Sequence, residues 1–162
     1  MRYVTRVLQP GERVVYESAL HWVVFTRAAL AAIICVLLIA AAMYFAGNQI
    51  HSLSLALWIA AAIFALLALS AALRAVMRRA TTEFAVTDHR VIYKTGLLGR
   101  HTLEMNRSKV ESVDVDQSIL GRLLGYGTII VRGTGGSLEP IRHITEPLQF
   151  RSHITAGDYS RV

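Results

Sequence analysis

The chain has 162 residues, 54% of them hydrophobic, with a mean hydropathy of +0.44 and a formal net charge of +6. That is long enough for one domain plus membrane-crossing segments, and too apolar for an ordinary water-soluble domain. The single cysteine excludes an intrachain disulfide.

Residues 1–27 carry four arginines and two glutamates, and "PGERVVYES", Pro10 to Ser18, reads as a turn followed by a β-prone stretch. From Ala28 to Ala46 there are 19 residues without a charge. At about 1.5 Å per residue they match a hydrocarbon core of roughly 30 Å, so they predict a transmembrane helix. "GNQIHS", residues 47–52, is only long enough to turn the chain around. A second uncharged run follows from Leu53 to Leu73, with Ser54 and Ser70 its polar members. The pair predicts a two-helix hairpin whose ends face the same side. Arg27 precedes the first span and Arg74, Arg78 and Arg79 follow the second, while the connecting loop has neither Lys nor Arg. The positive-inside rule therefore places both termini in the cytoplasm. A second span after the first identifies a retained hairpin rather than a cleaved signal peptide.

Trp22, Phe25, Tyr44, Phe45 and Trp58 sit where aromatic rings anchor at the headgroup level. Small residues four apart, Ala56 with Ala60, Ala61 with Ala65 and Ala68 with Ala72, would let helices approach closely, unless they reflect plain alanine richness. Cys35 lies inside the first span and reads as packing.

Beyond the hairpin the periodicity changes to two. "TEFAV" from Thr82, the turn "TDH", "RVIYKT" from Arg90, the turn "GLLG" and "RHTLEM" from Arg100 predict consecutive antiparallel hairpins. "VESVDV" from Val110, "GTIIVRG" from Gly127 and "LEPIRHI" from Leu138 continue the series, the last demoted to an edge by Pro140. With the segment after Pro10, seven strands are expected. Between them, "DQSILGRLLGYG" predicts a short helix capped by Asp116 or Ser118, ended by Gly125, with Ile119, Leu120, Leu123 and Leu124 on one face. Thr145 is expected to cap a final helix, with Leu148, Phe150 and Ile154 as core contacts.

The order of "PGE", two apolar spans, "TDHRVIY" and "KVESVDVDQSILGRLLGYGTI" resembles the bacterial pleckstrin-homology-like (PH-like) proteins of the membrane-anchored second type, over about residues 10–155. The resemblance implies a bacterial inner-membrane, multi-pass protein: membrane α plus all-β, with a cytoplasmic, seven-stranded split barrel capped by the C-terminal helix. It implies this layout: residues 1–27 give one strand, residues 28–76 form the hairpin, residues 77–155 form the PH-like domain, and residues 156–162 are a flexible tail. It implies no catalytic activity and no cofactor.

The residues themselves agree with that expectation. His89, His101, His143 and His153 lack a His or Cys partner at metal-ligand spacing. Asp88 and His89 read as turn residues. Glu111, Asp114 and Asp116 read as a solvated face, or as pairs for Arg107, Lys109 or Arg122. "GTGG", residues 133–136, lacks the G-K-[ST] ending of a phosphate loop and reads as a hairpin turn. The charge outside the hairpin, net +2 over residues 1–27 and net +3 over residues 77–162, suits an anionic membrane surface. Nucleic acid is not expected, because no recognition helix or aromatic motif accompanies the scattered basic residues. Candidate lipid contacts are Arg74, Arg78, Arg79, Arg90 and Lys94. Candidate partner contacts are Ile119, Leu120, Leu123 and Leu124, unless they pack against the barrel. The expected partners are the bilayer, anionic headgroups, and another protein or a second copy of the chain.

Overall fold

The change of period at residue 82 separates two solutions to burying an apolar chain, and the computed structural model shows both. It describes residues 3–48, 50–96, 99, 101–134, 136–137 and 140–156. "GLLG" and the tail expected over 156–162 lie largely outside the described residues. The chain divides into two compact units, Trp22–Met77, and Met1–His21 with Arg78–Val162.

In the first unit, a short 3-10 turn, Trp22–Phe25, leads into a 22-residue helix, Thr26–Gly47 (α2). A 31-residue helix, His51–Thr81 (α3), follows. Both are long and apolar enough to cross a membrane. They run beyond the expected spans, and Arg74, Arg78 and Arg79 lie on continued helix rather than on a linker. Ala28, Cys35 and Ala42 are the buried residues of α2, and Ser54, Ala61 and Ala75 those of α3. The spacing is seven or a multiple of it, the period of a left-handed helix pair. The Ser54 hydroxyl donates to the Ala42 carbonyl at 3.0 Å and the Cys35 thiol to the Ala61 carbonyl at 3.3 Å. The seam thus follows a step of seven, not the step of four expected from the alanines. Small side chains at each step let the backbones come close enough for those bonds.

The second unit begins with a one-turn helix, Tyr3–Val7 (α1), which the sequence reading did not include. Its first sheet runs β1 (Val14–Ser18), β2 (Glu83–Thr87), β3 (Arg90–Thr95), β4 (His101–Asn106), all antiparallel. The segment before the hairpin thus pairs with the first strand after it. The second sheet is built on β6 (Tyr126–Gly133), with β5 (Val110–Asp116) on one flank. The other flank is shared by β7 (Gly136–Ser137) and β8 (Ile141–Thr145). Of the strand expected from Leu138, β8 accounts for Ile141 onward, after Pro140, which has no N–H to donate, while residues 138–139 lie outside the described residues and β7 falls where the glycine turn was expected.

The two sheets meet where β1 runs on. Leu20 bridges Ile144, the His21 N–H donates to the His143 carbonyl at 2.7 Å, and the Thr145 N–H donates to the Ala19 carbonyl at 3.1 Å. His143 is the extra residue in the β6–β8 register, at φ 62°, so a bulge turns β8 toward this seam.

The main core joins both sheets and the last helix, Pro147–Thr155 (α5), through Phe84, Val86, Ile129, Ile144, Phe150 and Ile154. Ala85 and Ile92, on the outer face of the first sheet, are buried with Val4 of α1. That is why β2 is buried on both faces from Phe84 to Thr87 instead of on alternate residues as expected. Two expectations for α5 change. Thr145 belongs to β8 and Glu146, at φ 51°, precedes the helix without a side-chain cap, while Leu148 is exposed.

Candidate functional site

A turn with Gly11 at φ 89° places Glu12 inside the domain. Its carboxylate accepts from Arg90 Nε at 3.0 Å and Nη2 at 2.9 Å, from the Thr87 hydroxyl at 2.7 Å and from the Gln9 N–H at 2.8 Å. Burial alone would raise the Glu12 pKa. The bonds from Arg90, Gln9 and Thr87 and the guanidinium charge outweigh it, holding the carboxyl at about 2. Arg90 is held more firmly protonated by the Glu12 bond and by the charges of Glu104 and Glu12. It also donates to Glu104 at 2.6 Å and to the Val7 carbonyl at 2.7 Å.

Arg90 was a candidate lipid contact, and this changes its role: its charge is committed inside the domain, tying α1 and the Gly11 turn to β3. Lys94 is committed likewise, 3.8 Å from Glu83 and over the Tyr3 ring. Arg74, Arg78 and Arg79 are exposed, Arg74 donating to the Ser70 hydroxyl. Asp88 and His89 form the β2–β3 turn, where Asp88 accepts from the Arg13 N–H at 3.1 Å. Asp114 pairs with Arg132 at 3.1 Å across β5 and β6, not with the expected Arg107, Lys109 or Arg122. Arg107 instead donates to the Ile154 and His153 carbonyls at the end of α5 and to the Thr87 carbonyl.

The remaining candidates occupy a short helix, Ile119–Leu124 (α4), between β5 and β6. Ser118 caps it, accepting from the Gly121 N–H at 3.1 Å, and Gly125 ends it at φ 77°. Its one buried residue is Gly121, where a Cβ would stand 2.7 Å from the Tyr126 carbonyl. The absence of a side chain is what lets α4 lie against β6. Its apolar side chains point the other way: Ile119 is 89% exposed, Leu120 62%, Leu123 80% and Leu124 39%. Ile119, Leu120 and Leu123 stand clear of the sheets, and Leu124 is only partly exposed.

Beside α4 the His21 ring tilts over Tyr126, centroids 5.3 Å apart. Burial lowers the His21 pKa, opposed by a hydrogen bond to the Leu124 backbone and assisted by the Arg79 charge. The neighbouring cleft, about 320 Å³, is lined by Glu17, Glu83 and Arg79 among others. Two carboxylates against one guanidinium do not make an anion pocket. Among the described residues no cluster of three His, Cys, Asp or Glu could hold a metal ion.

Sequence reasoning missed Glu12, Thr87 and Glu104. Only the "PGE" turn hinted at the first, and nothing local names its partner. No curated protein and no solved structure matches the chain. The family described as "Bacterial PH domain" matches residues 14–157, a segment that contains the hairpin as well as the strands on either side of it. The chain belongs to the bacterial PH domain family.

Proposed function

We propose that this chain is a non-enzymatic interaction module anchored in the bacterial inner membrane, a scaffold or accessory subunit that helps assemble a membrane protein complex. In this reading both termini are cytoplasmic, and the two sheets are the halves of a split barrel closed by α5 on that side. Membership of a PH-like family supports an interaction role.

The observation that carries the reading is the lack of slack in the tether. On the entry side the backbone is already bonded to β8 at His21, the residue before the 3-10 turn. On the return side a single residue, Thr82, separates α3 from β2. A domain joined this closely to two membrane-length helices acts on what lies beside it at the surface. Ile119, Leu120, Leu123 and Leu124 are its exposed apolar contact surface.

Extraction of the intact chain in mild detergent, with mass spectrometry of what co-purifies, tests this. A reproducible membrane-protein partner or a homo-oligomer is expected. A lone chain would overturn it.

A second reading, sensing of anionic lipid, is favoured by the exposed Arg74, Arg78 and Arg79 on the last turns of α3. Each basic residue near an anionic leaflet contributes about 1 kcal/mol, screened by salt. Neutralising all three should lower the phosphatidylglycerol retained on extraction, and unchanged retention would remove this reading.

A further inference from the structure

We propose that α4 is a third membrane contact: Ile119, Leu120, Leu123 and Leu124 insert into the headgroup–acyl boundary of the same bilayer that the hairpin crosses. This rests on the membrane-anchored reading above and gives the exposed surface a definite occupant.

Three observations converge on it. The first is the inverted burial of α4. A helix on a soluble domain ordinarily turns its apolar side chains inward, whereas here the inward residue is Gly121 and the outward ones are one isoleucine and three leucines. The element is nevertheless well fixed. Ser118 and Gly125 cap its ends, and the Gln117 amide donates to the Tyr126 carbonyl at 3.1 Å. The second is its place along the chain. The end of α4 meets His21 through the Leu124 backbone, and the His21 ring lies tilted against Tyr126 just after α4. The next residue, Trp22, opens the first membrane-length segment. Six helical residues extend about 9 Å, so the whole apolar face lies close to His21, the last residue of its own unit before the hairpin. The third is charge. Arg122 is exposed in the middle of α4, and Arg79 is near enough to act on His21. Leucine and isoleucine side chains flanked by arginine are the composition of an interfacial helix that sits at an anionic surface.

A probe at Leu123 decides it. In the full chain, with Cys35→Ala removing the native thiol, Leu123→Cys is labelled with an environment-sensitive fluorophore. The protein is reconstituted in vesicles of phosphatidylethanolamine and phosphatidylglycerol carrying an acyl-brominated lipid. Lys109→Cys serves as the control, since Lys109 lies at the far end of β5, about 20 Å along the strand. At an interfacial depth of about 5–10 Å, the Leu123 probe should lose about half its emission to the brominated lipid, while the Lys109 probe stays bright and is quenched by aqueous iodide. A Leu123 probe quenched by iodide as the control is would overturn the inference. A probe shielded from both quenchers would overturn it too, because a protein or a second copy would then cover the patch. Neither result depends on whether a partner co-purifies, so failure here and failure of the scaffold reading are distinguishable.

Discussion

Arg90 and Glu12 are 78 residues apart in the chain, on either side of the hairpin, yet the guanidinium donates to both carboxylate oxygens at 3.0 and 2.9 Å. The side chains are 14% and 1% exposed. A pair this dry costs several kcal/mol of desolvation per ion, which its bonds must offset, so losing one partner is worse than losing both. Arg90→Ala should destabilise the β unit by about 3–5 kcal/mol, because it strands the Glu12 charge. Pairing it with Glu12→Leu should recover part of that loss. Denaturant unfolding of the detergent-solubilised chain, run as a double-mutant cycle, checks both, and additive losses would contradict the pairing.

The same carboxylate sets a pH dependence. Its folded pKa, about 2, lies below the ordinary value of 4.5. A depressed carboxyl pKa stabilises the fold fully above the unfolded value and loses that contribution as the pH falls toward the folded one. Stability should therefore drop between about pH 4.5 and pH 2. The melting temperature of the wild type should fall toward that of Glu12→Gln across this window, and parallel curves would contradict the assignment.

Gly121 tests how α4 is held. With 2.7 Å between an added Cβ and the Tyr126 carbonyl, Gly121→Val forces backbone apart and should cost about 1–3 kcal/mol. Faster amide exchange confined to residues 118–126 is the expected signature. Ser118→Ala, which removes only the cap, should cost about 1 kcal/mol.

Ala61 tests the helix seam. Ala61→Leu places a branched side chain where the backbone now accepts the Cys35 thiol, and overpacking of that kind costs about 1–3 kcal/mol. The hairpin should lose resistance to strong detergent, while Ala65→Leu, at an exposed position on the same helix, should leave it unchanged.

What was legible in the sequence was local. Turn residues and the β-prone stretches between them located β2 to β6 to within a residue or two, and Asp116 or Ser118 with Gly125 announced the ends of α4, because turns and caps depend on neighbouring atoms. The α2–α3 hairpin was equally legible from uncharged length. Contacts set by the tertiary fold were not. Nothing near Arg90 points to Glu12, so it read as a surface cation. In an alanine-rich helix, steps of four and seven coincide too often to choose the Cys35–Ala61 seam. Four apolar residues on one short helix read more readily as core than as contact, and only the closeness of Gly121 to Tyr126 turns them outward.

The central claim is that the chain works as a fixed component of a larger membrane assembly. Native mass spectrometry of the intact chain, released directly from membranes, tests that claim most directly. The predicted result is a discrete mass containing the chain with a stoichiometric membrane protein or with further copies of itself. A spectrum showing only the 17.9 kDa chain with bound lipid would contradict it.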